Sequence, residues 1–313
     1  MIIEIFLIVS QVLARQYSIS GFSSGGFFAH QLHIVHSSNI TGVGIVAGGP
    51  YYCTMGSYNR FQSACGCNSY LVSIETSLSL ATNLAQENRI DSLNTLGQAK
   101  VYIFSGSGDT VVHPPLVKIT EQVYRNLGNN SNIYTKYDLN AQHSWVTLNE
   151  GNPCWYLGWP GVNNCNFDLA GAIFNYIFSG LNSRGTQIKS NLYEFDQSQY
   201  TDVWKAGMSN RGFVYIPNYC MKNVCLVHVL FHGCLGSFEI NGYTFMYEIG
   251  VNDWAESNNI VVIYPQITAH SNNTSGCWDF WGYTGESFYD YSAPQIAAVH
   301  AMAQNPPVVN WSS

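Results

Sequence analysis

Short apolar runs alternate along the chain with stretches in which apolar residues recur at helical spacing. The apolar runs predict β-strands at residues 16–20, 41–47, 100–104, 133–139, 212–216, 225–231 and 260–264. The stretches between them predict helices at residues 27–36, about 70–90, about 115–127, 170–178 and 247–257. Strands that alternate with helices indicate an α/β fold, in which helices cover both faces of a mostly parallel sheet.

Two polar stretches interrupt this alternation. Residues 150–167 are rich in Gly, Pro, Asn and Cys and are predicted to form a loop. Residues 181–211 resemble a linker, but they contain no Pro/Gly/Ser-rich tract, and no internal repeat is visible. We therefore expect one domain over residues 15–313 rather than two separate ones.

The first 14 residues are predicted to be a signal peptide. Residues 5–13 form an apolar run too short to cross a bilayer, and Val12-Leu13-Ala14 provides a small residue before Arg15 for cleavage. The segment before the run carries Glu4 and no Lys or Arg, so a first β-strand is the alternative. No later stretch is long and apolar enough for a transmembrane helix. The expected location is extracellular, or the lumen of the secretory or lysosomal system.

Composition excludes several classes of protein. Of 313 residues, 46% are hydrophobic and 10% are charged, which is too apolar for a disordered chain. The net charge is −7 and no basic cluster occurs, so a nucleic-acid interface is excluded and binding to an acidic membrane surface is not expected. The 21 Tyr and 8 Trp residues are typical of sites for uncharged, partly apolar ligands, or of a Tyr-rich core.

Nine cysteines favour an oxidising compartment. The expected disulfides are Cys154–Cys165 and Cys220–Cys225, because short loops close at low entropic cost, and the other pairings stay open. The Cys65-Gly66-Cys67 segment lacks the paired Cys-x₂-Cys spacing of a zinc site, so no metal is expected. Sequons compatible with a secreted glycoprotein begin at Asn39, Asn129, Asn272, Asn273 and Asn310.

A Gly-x-Ser-x-Gly motif lies between the first predicted strand and the first predicted helix, at Gly21-Phe22-Ser23-Ser24-Gly25. In a nucleophile elbow the serine occupies a strained strand-to-helix turn, and the glycines let neighbouring elements pass closely. Ser24 does not fit the motif, because Phe22 takes the place of its leading glycine. The chain has 28 glycines, so a plain Gly/Ser turn is the alternative, but the flanking elements favour Ser23 as a nucleophile.

A serine nucleophile needs a base and an acid that holds the base. In α/β-hydrolases these follow in the order serine, acid, histidine, each on a loop after a strand. Asp109 follows the strand at 100–104 through a turn-rich Ser-Gly-Ser-Gly lead and is the predicted acid. Asp138 is a rival within a predicted strand, and Asp168 lies after the best histidine, in the wrong order.

Of the nine histidines, His143 is the predicted base, because it follows the strand at 133–139 and comes after Asp109. His113 shares the loop of Asp109 and is the second candidate. His30, His33 and His36 are spaced three apart on one predicted helix, which resembles a set of metal ligands. No carboxylate accompanies them at ligand spacing, so we expect them to lie on the helix surface.

Acyl transfer also needs two N–H donors for the developing oxyanion. One is the backbone N–H after the nucleophile, here that of Ser24. The other comes from a His-Gly motif upstream of the serine in ordinary α/β-hydrolases, but here the motif is His232-Gly233-Cys234, far downstream. A circular permutation explains this order, with halves at about 15–180 and 181–313 exchanged. The Cys234 N–H is then the second donor, although a turn with a structural disulfide would also explain the motif.

Several blocks of the sequence, in their order along the chain, resemble a known family, the single-domain, circularly permuted, secreted polyhydroxybutyrate (PHB) depolymerases. The resemblance covers most of residues 16–304 and depends on the order of its blocks. These are residues 21–26 (GFSSGG), 46–53 (VAGGPYYC), 231–234 (FHGC), 254–259 (WAESNN), 264–266 (YPQ) and 276–283 (GCWDFWGY).

The resemblance implies a circularly permuted α/β-hydrolase that is a serine esterase acting on short-chain polyhydroxyalkanoate. It implies a triad of Ser23, Asp109 and His143, with the Ser24 and Cys234 N–H groups as oxyanion donors. It also implies that Trp278 or Trp281 lies against the bound hydroxybutyrate chain. We expect a monomer that uses no cofactor and no metal.

Two alternatives stay open from the sequence. A feruloyl or acetyl esterase that acts on plant polysaccharide would use the same triad and oxyanion donors. A secreted binding protein on a degenerate hydrolase scaffold would need none of them, but all three triad residue types are present in order, which argues against it.

Overall fold

The computed structural model describes residues 15–128 and 130–307. Within them, eight strands form one sheet in the order β4-β3-β2-β1-β10-β11-β9-β8, and three short strands form a second sheet in the order β5-β7-β6. The strands are β1 (Tyr17–Phe22), β2 (Ile40–Val46), β3 (Lys100–Phe104), β4 (Ile133–Lys136), β5 (Trp145–Thr147), β6 (Asn152–Pro153), β7 (Val162–Asn164), β8 (Leu192–Asp196), β9 (Arg211–Tyr215), β10 (Leu226–Phe231) and β11 (Ile260–Tyr264).

The two halves of the chain meet in the middle of the large sheet. Strands β1 to β4 form one side and β8 to β11 form the other, and β1 pairs in parallel with β10, so that Gly21 lies beside Phe231. The sheet is parallel except at β9, which runs antiparallel to β11 and β8. Strands late in the sequence therefore continue the sheet on the side of the strand that comes first, as the permuted α/β-hydrolase fold requires.

Helices cover the two faces of this sheet. On one face α5 packs against β2 and β3, α9 packs against β11, and these two helices contact each other. On the other, α1 packs against β1, β2 and β10, α4 against β3 and β4, and α10 against β10. The helices are α1 (Ser24–Val35), α2 (Tyr58–Ser63), α3 (Ile74–Gln86), α4 (Pro114–Leu127), α5 (Leu169–Ile177), α6 (Val203–Ala206), α7 (Phe238–Asn241), α8 (Thr244–Glu248), α9 (Val251–Asn258) and α10 (Pro294–Gln304).

The two polar stretches differ from their predictions. Residues 150–167, expected to be a loop, contain β6 and β7 of the small sheet. Residues 181–211, which resemble a linker, include β8 at the edge of the large sheet and the short helix α6. The side chains of this edge strand are half-buried or exposed, so its composition stays polar.

The helix α1 is buried along its whole length, which corrects the expectation for its histidines. His30 and His33 have no exposed surface, and His36 is nearly buried. His30 stacks on Tyr124, and His33 Nδ1 lies 2.9 Å from the Tyr124 hydroxyl. Burial lowers the pKa of each of the three imidazoles to about 3. In the described part of the chain, no cluster of His, Cys, Asp and Glu could hold a metal ion.

Both expected disulfides, Cys154–Cys165 and Cys220–Cys225, are present. Two further bonds join Cys53 to Cys65 and Cys234 to Cys277, and Cys67 is an exposed free thiol. Among the described residues, no helix combines the length and the apolar character needed to span a bilayer. The predicted signal peptide, residues 1–14, lies outside the described residues.

Candidate active site

Ser23 lies in the sharp turn between β1 and α1, with a positive φ of 56° and a ψ of −121°. Few residues other than glycine adopt such a conformation, so the turn stores strain. Steric space explains the two glycines of the motif. A Cβ at Gly21 would lie 2.0 Å from the Gly25 carbonyl oxygen, and one at Gly25 would lie 2.5 Å from the Phe231 carbonyl oxygen. The motif is therefore built for a serine held above closely packed backbone.

The structure brings the three predicted triad residues together. His143 Nε2 lies 2.9 Å from Ser23 Oγ, and His143 Nδ1 lies 2.7 Å from Asp109 Oδ2. The other carboxylate oxygen of Asp109 accepts the N–H groups of Val111 and Val112 at 2.8 and 2.9 Å. Asp109 is buried, so these bonds fix both oxygens of the carboxylate with one aimed at the imidazole. This is the geometry in which an imidazole can take a proton from a serine hydroxyl.

The loops that carry Asp109 and His143 are bonded to each other. The Gly108 N–H donates to the Ala141 carbonyl at 3.1 Å, and the Gln142 side-chain oxygen accepts the N–H groups of both Thr110 and His143 at 2.8 Å. Gln142 thus links the acid loop to the base loop. Sequence reasoning missed this residue, and the only signal for it is that it directly precedes the predicted base.

The rival residues lie elsewhere. The exposed Asp138 forms an ion pair with Lys136 at 2.8 Å. Asp168 precedes α5, where it caps the helix and pairs with Arg184. His113 precedes α4 and is not among the residues that line the cavity at Ser23.

The two predicted oxyanion donors, the N–H groups of Ser24 and Cys234, belong to residues that line the cavity at Ser23. Among the described residues neither N–H has a hydrogen-bond acceptor. The Ser24 N–H opens α1, where the first N–H groups of a helix have no partner within the helix. Its position and the helix dipole favour a developing negative charge.

His232 holds the turn that presents the Cys234 N–H. The Ile267 N–H donates to His232 Nε2 at 3.2 Å, so the ring proton is on Nδ1, which donates to the Gly233 carbonyl at 2.7 Å. Burial lowers the pKa of His232 to about 4, which keeps this neutral tautomer. The disulfide to Cys277 anchors the same turn from the other side. In the His-Gly-Cys motif the histidine is therefore a structural support of the turn.

A cavity of about 340 Å³ opens at Ser23. The polar side chains of its lining are those of Ser23, Ser24, His143 and Ser275, and no Lys, Arg, Asp or Glu lines it. Such a site suits an uncharged, largely apolar ligand. The apolar residues of its wall are Phe22, Phe27, Phe61, Val111, Val112, Leu157, Trp159, Pro160, Leu235, Phe245 and Phe280.

The two tryptophans expected beside the substrate do not line this cavity. Trp278 has no exposed surface and packs between Phe28 and Phe231, so its indole is part of the core and the expectation for it is corrected. Trp281 is nearly buried, stacks on Phe61 at 5.1 Å, and lines a neighbouring hollow. Both residues sit in a Trp-rich block, which indicates aromatic packing but not the direction in which each ring faces.

Comparisons with known proteins agree with the resemblance noted in the sequence. No protein-family model matches the chain. A poly(3-hydroxybutyrate) depolymerase of Delftia acidovorans is 36% identical over 293 residues, which are 92% of this chain and 58% of that protein. This chain thus spans less than two thirds of the Delftia protein. A polyhydroxybutyrate depolymerase of Talaromyces funiculosus is 34% identical over 300 residues, 90% of this chain and 86% of that protein.

Two solved structures are similar to this chain over most of its length. The crystal structure of PHB depolymerase from Penicillium funiculosum has a TM-score of 0.85 with 33% identity, and a PHB depolymerase complexed with R3HB trimer has a TM-score of 0.84 with 33% identity. In both cases the match covers 93% of this chain and 95% of the other. Identity above 30% over most of the Talaromyces protein, together with the shared fold, shows that this chain belongs to the polyhydroxybutyrate depolymerase family of α/β-hydrolases.

Proposed function

We propose that this protein is a secreted serine esterase that hydrolyses ester bonds of poly(3-hydroxybutyrate) or a related short-chain polyhydroxyalkanoate through an acyl-enzyme. One observation carries the proposal: a hydrogen-bonded series runs from Asp109 through His143 to Ser23 at the wall of an uncharged, apolar cavity. The names of the relatives supply the substrate class, because they are depolymerases of this polyester.

In the proposed reaction, His143 Nε2 takes the proton of Ser23 as the hydroxyl attacks the ester carbonyl. The carbonyl oxygen becomes an oxyanion that accepts the N–H groups of Ser24 and Cys234, each donor contributing about 10²–10³-fold to the rate. The tetrahedral intermediate then collapses, the bond from its carbon to the alkoxy oxygen breaks, and the imidazolium protonates that oxygen. The next hydroxyacid unit leaves with a free hydroxyl, and an ester of Ser23 remains. Water activated by His143 cleaves that ester, and the Asp109 carboxylate stabilises the imidazolium in both steps.

A solid polyester also needs a surface to which the enzyme adsorbs, and the segment between Cys154 and Cys165 supplies one. Trp155 and Trp159 are 74% and 62% exposed. Leu157 is also exposed, and Leu157 and Trp159 reach the cavity wall. This exposed apolar patch beside the cavity is the proposed adsorption site. The disulfide and the cavity contact hold it at the mouth of the site.

Hydrolysis of an amorphous poly(3-hydroxybutyrate) film tests the activity. We expect the wild type to release hydroxyacid and Ser23→Ala to release none, while a fluorophosphonate labels only the wild type. No labelling of Ser23 would favour a binding protein on the same scaffold. Strong hydrolysis of feruloyl or acetyl esters, without any release from the film, would favour a polysaccharide esterase.

The adsorption site has its own test. The variant Trp155→Ala should bind and degrade the film less, while it keeps most of its activity on a short soluble ester, because Trp155 does not line the cavity. Trp204→Ala is the matched control, because Trp204 is 91% exposed but does not line the cavity. An equal loss on film and soluble ester in Trp155→Ala would contradict the adsorption role.

Secretion is part of the proposal, with cleavage after Ala14 and a single catalytic domain from Arg15 onward. Four disulfides favour an oxidising destination. The Arg15 backbone exchanges two hydrogen bonds with the Gln304 side chain, at 2.7 and 2.8 Å, so the start of the proposed mature chain is held in place. N-terminal sequencing of the secreted protein should begin at Arg15, and retention of residues 1–14 would contradict this part.

A further inference from the structure

A short turn at residues 270–276 borders a second hollow next to the cavity. Its sequence, Asn272-Asn273-Thr274-Ser275, contains two overlapping sequons, one for each asparagine. The turn is closed by hydrogen bonds in both directions between the backbones of His270 and Asn273. The sequence alone treats the two asparagines alike, whereas the structure separates them.

Asn273 is unsuited to carry a glycan. It is 3% exposed, its side-chain oxygen accepts the Cys277 N–H at 2.9 Å, and its side-chain nitrogen donates to the Cys277 carbonyl at 2.8 Å. A sugar on that nitrogen would have to lie in the interior, where a polar group without partners is unfavourable. It would also disturb the backbone of Cys277, whose disulfide anchors Cys234.

Asn272 has the opposite surroundings. It is exposed at the tip of the turn, and its side chain has no hydrogen-bond partner within the described residues. Thr274, which completes its sequon, is exposed as well. A sugar on the Asn272 side chain would therefore extend into solvent without displacing any contact of the folded chain.

We propose that Asn272 is the N-glycosylation site of this turn and that Asn273 stays unmodified. The proposal depends on the secretion proposed above, because the co-reactant is a polyprenyl-diphosphate-linked oligosaccharide of the secretory pathway. The Asn272 amide nitrogen forms a bond to C1 of the first sugar and loses one proton. The C1–oxygen bond to the diphosphate breaks, and the lipid diphosphate leaves with the electron pair.

The position of Asn272 makes this modification compatible with the proposed esterase. Asn272 lines the second hollow, with Tyr58 and Trp281, but not the cavity at Ser23. The two spaces share Phe61, Ser275 and Cys277, so the glycan stands beside the ester site without entering it. Removal of the glycan should leave the kcat/KM for a short soluble ester within about twofold of the wild type.

Two single variants separate the sequons while both asparagines remain. Thr274→Ala removes the Asn272 sequon and keeps the one at Asn273, and Ser275→Ala does the reverse. Each chain is secreted from yeast, deglycosylated by peptide-N-glycosidase in ¹⁸O water and digested, so that an occupied asparagine becomes a labelled aspartate. Protein from the microsomal fraction is treated in parallel, so that a block in secretion does not hide the modification.

We expect label at position 272 in the wild type and in Ser275→Ala, and none at 272 or 273 in Thr274→Ala. Label at 273 in any of the three chains, or no label at 272 in the wild type, would overturn the proposal. Fluorophosphonate labelling of Ser23 in the same samples reports on the esterase separately. An active but unglycosylated protein would therefore refute only the glycan site, and a glycosylated protein that does not react would refute only the esterase.

Discussion

The substitution Gln142→Met tests whether the link between the acid and base loops positions the imidazole. Methionine has a similar length but offers no strong acceptor, so the N–H groups of Thr110 and His143 lose the oxygen that they share, 2.8 Å from each. An unsatisfied buried N–H costs about 1–3 kcal/mol. Thr110 is exposed and water replaces its partner, so we expect a loss of about 1 kcal/mol in the free energy of unfolding.

The effect on catalysis should be larger than the effect on stability. His143 is held between Ser23 Oγ at 2.9 Å and Asp109 Oδ2 at 2.7 Å, and neither bond tolerates much rotation of the ring. Small misplacements of a catalytic group cost up to about 100-fold in rate. We expect kcat on a soluble ester to fall about 10- to 100-fold. KM should change little, because Gln142 does not line the cavity.

The assay compares kcat, KM and the urea midpoint across four chains. Gln142→Glu keeps an acceptor oxygen and should retain much of kcat at high pH, with the acid limb of its pH profile moved upward, because a carboxylate stabilises the nearby imidazolium. Gln122→Met on α4 is the control for an exposed glutamine. Wild-type kcat in Gln142→Met, despite a lowered midpoint, would refute the positioning role.

Three further predictions concern the Asp109 carboxylate, the turn at Ser23 and the buried histidines. Asp109→Asn should lower kcat by about 10³–10⁴-fold with little change in stability, because an amide cannot stabilise the imidazolium; activity within tenfold of the wild type would contradict this. Gly25→Ala should lower the free energy of unfolding by about 3 kcal/mol, seen as a lower melting temperature, since its Cβ would lie 2.5 Å from the carbonyl oxygens of Phe231 and His232. Burial lowers the pKa of His30, His33 and His228 to about 3, so the unfolded chain binds more protons below pH ~6.5. The free energy of unfolding, measured with urea, should keep its full value above that pH. Toward pH 3 it should fall by up to about 1.4 kcal/mol per pH unit for each imidazole. A free energy of unfolding that stays constant from pH 7 to 5 would contradict the burial of these histidines.

The parts of the site that the sequence predicted depend on local geometry. Gly21 and Gly25 are required by contacts within or beside one turn, so a five-residue motif with a strand before it and a helix after it is informative. Asp109 and His143 each follow a strand of a parallel sheet, and the carboxyl ends of such strands meet at one edge, so their order was enough to select them. The two short-range disulfides were predictable for the same reason, because their cysteines lie close in the chain.

The parts that were not predicted depend on contacts between distant segments. The histidines of α1 were expected at the surface, but Tyr124 on α4 and His300 on α10 cover the faces that would have been free. Trp278 was expected at the substrate, yet it fills the space between α1 and β10. No local pattern distinguishes buried histidines from exposed ones when the residues that cover them lie as far away in the chain as His300 does from His36.

The parallel pairing of β1 with β10 sets how late in synthesis the large sheet can be completed. A ribosome releases the proposed nucleophile, acid and base long before it releases β10, which is the neighbour of β1 and leads into the Cys234 turn. Until then the innermost strand of the finished sheet has an open edge, with unpaired N–H and C=O groups that invite aggregation. A nascent chain that already holds Ser23, Asp109 and His143 therefore lacks both the proposed second oxyanion donor and the strand that supports the turn at Ser23. The proposed esterase activity should therefore appear abruptly, late in synthesis, rather than increase gradually with chain length.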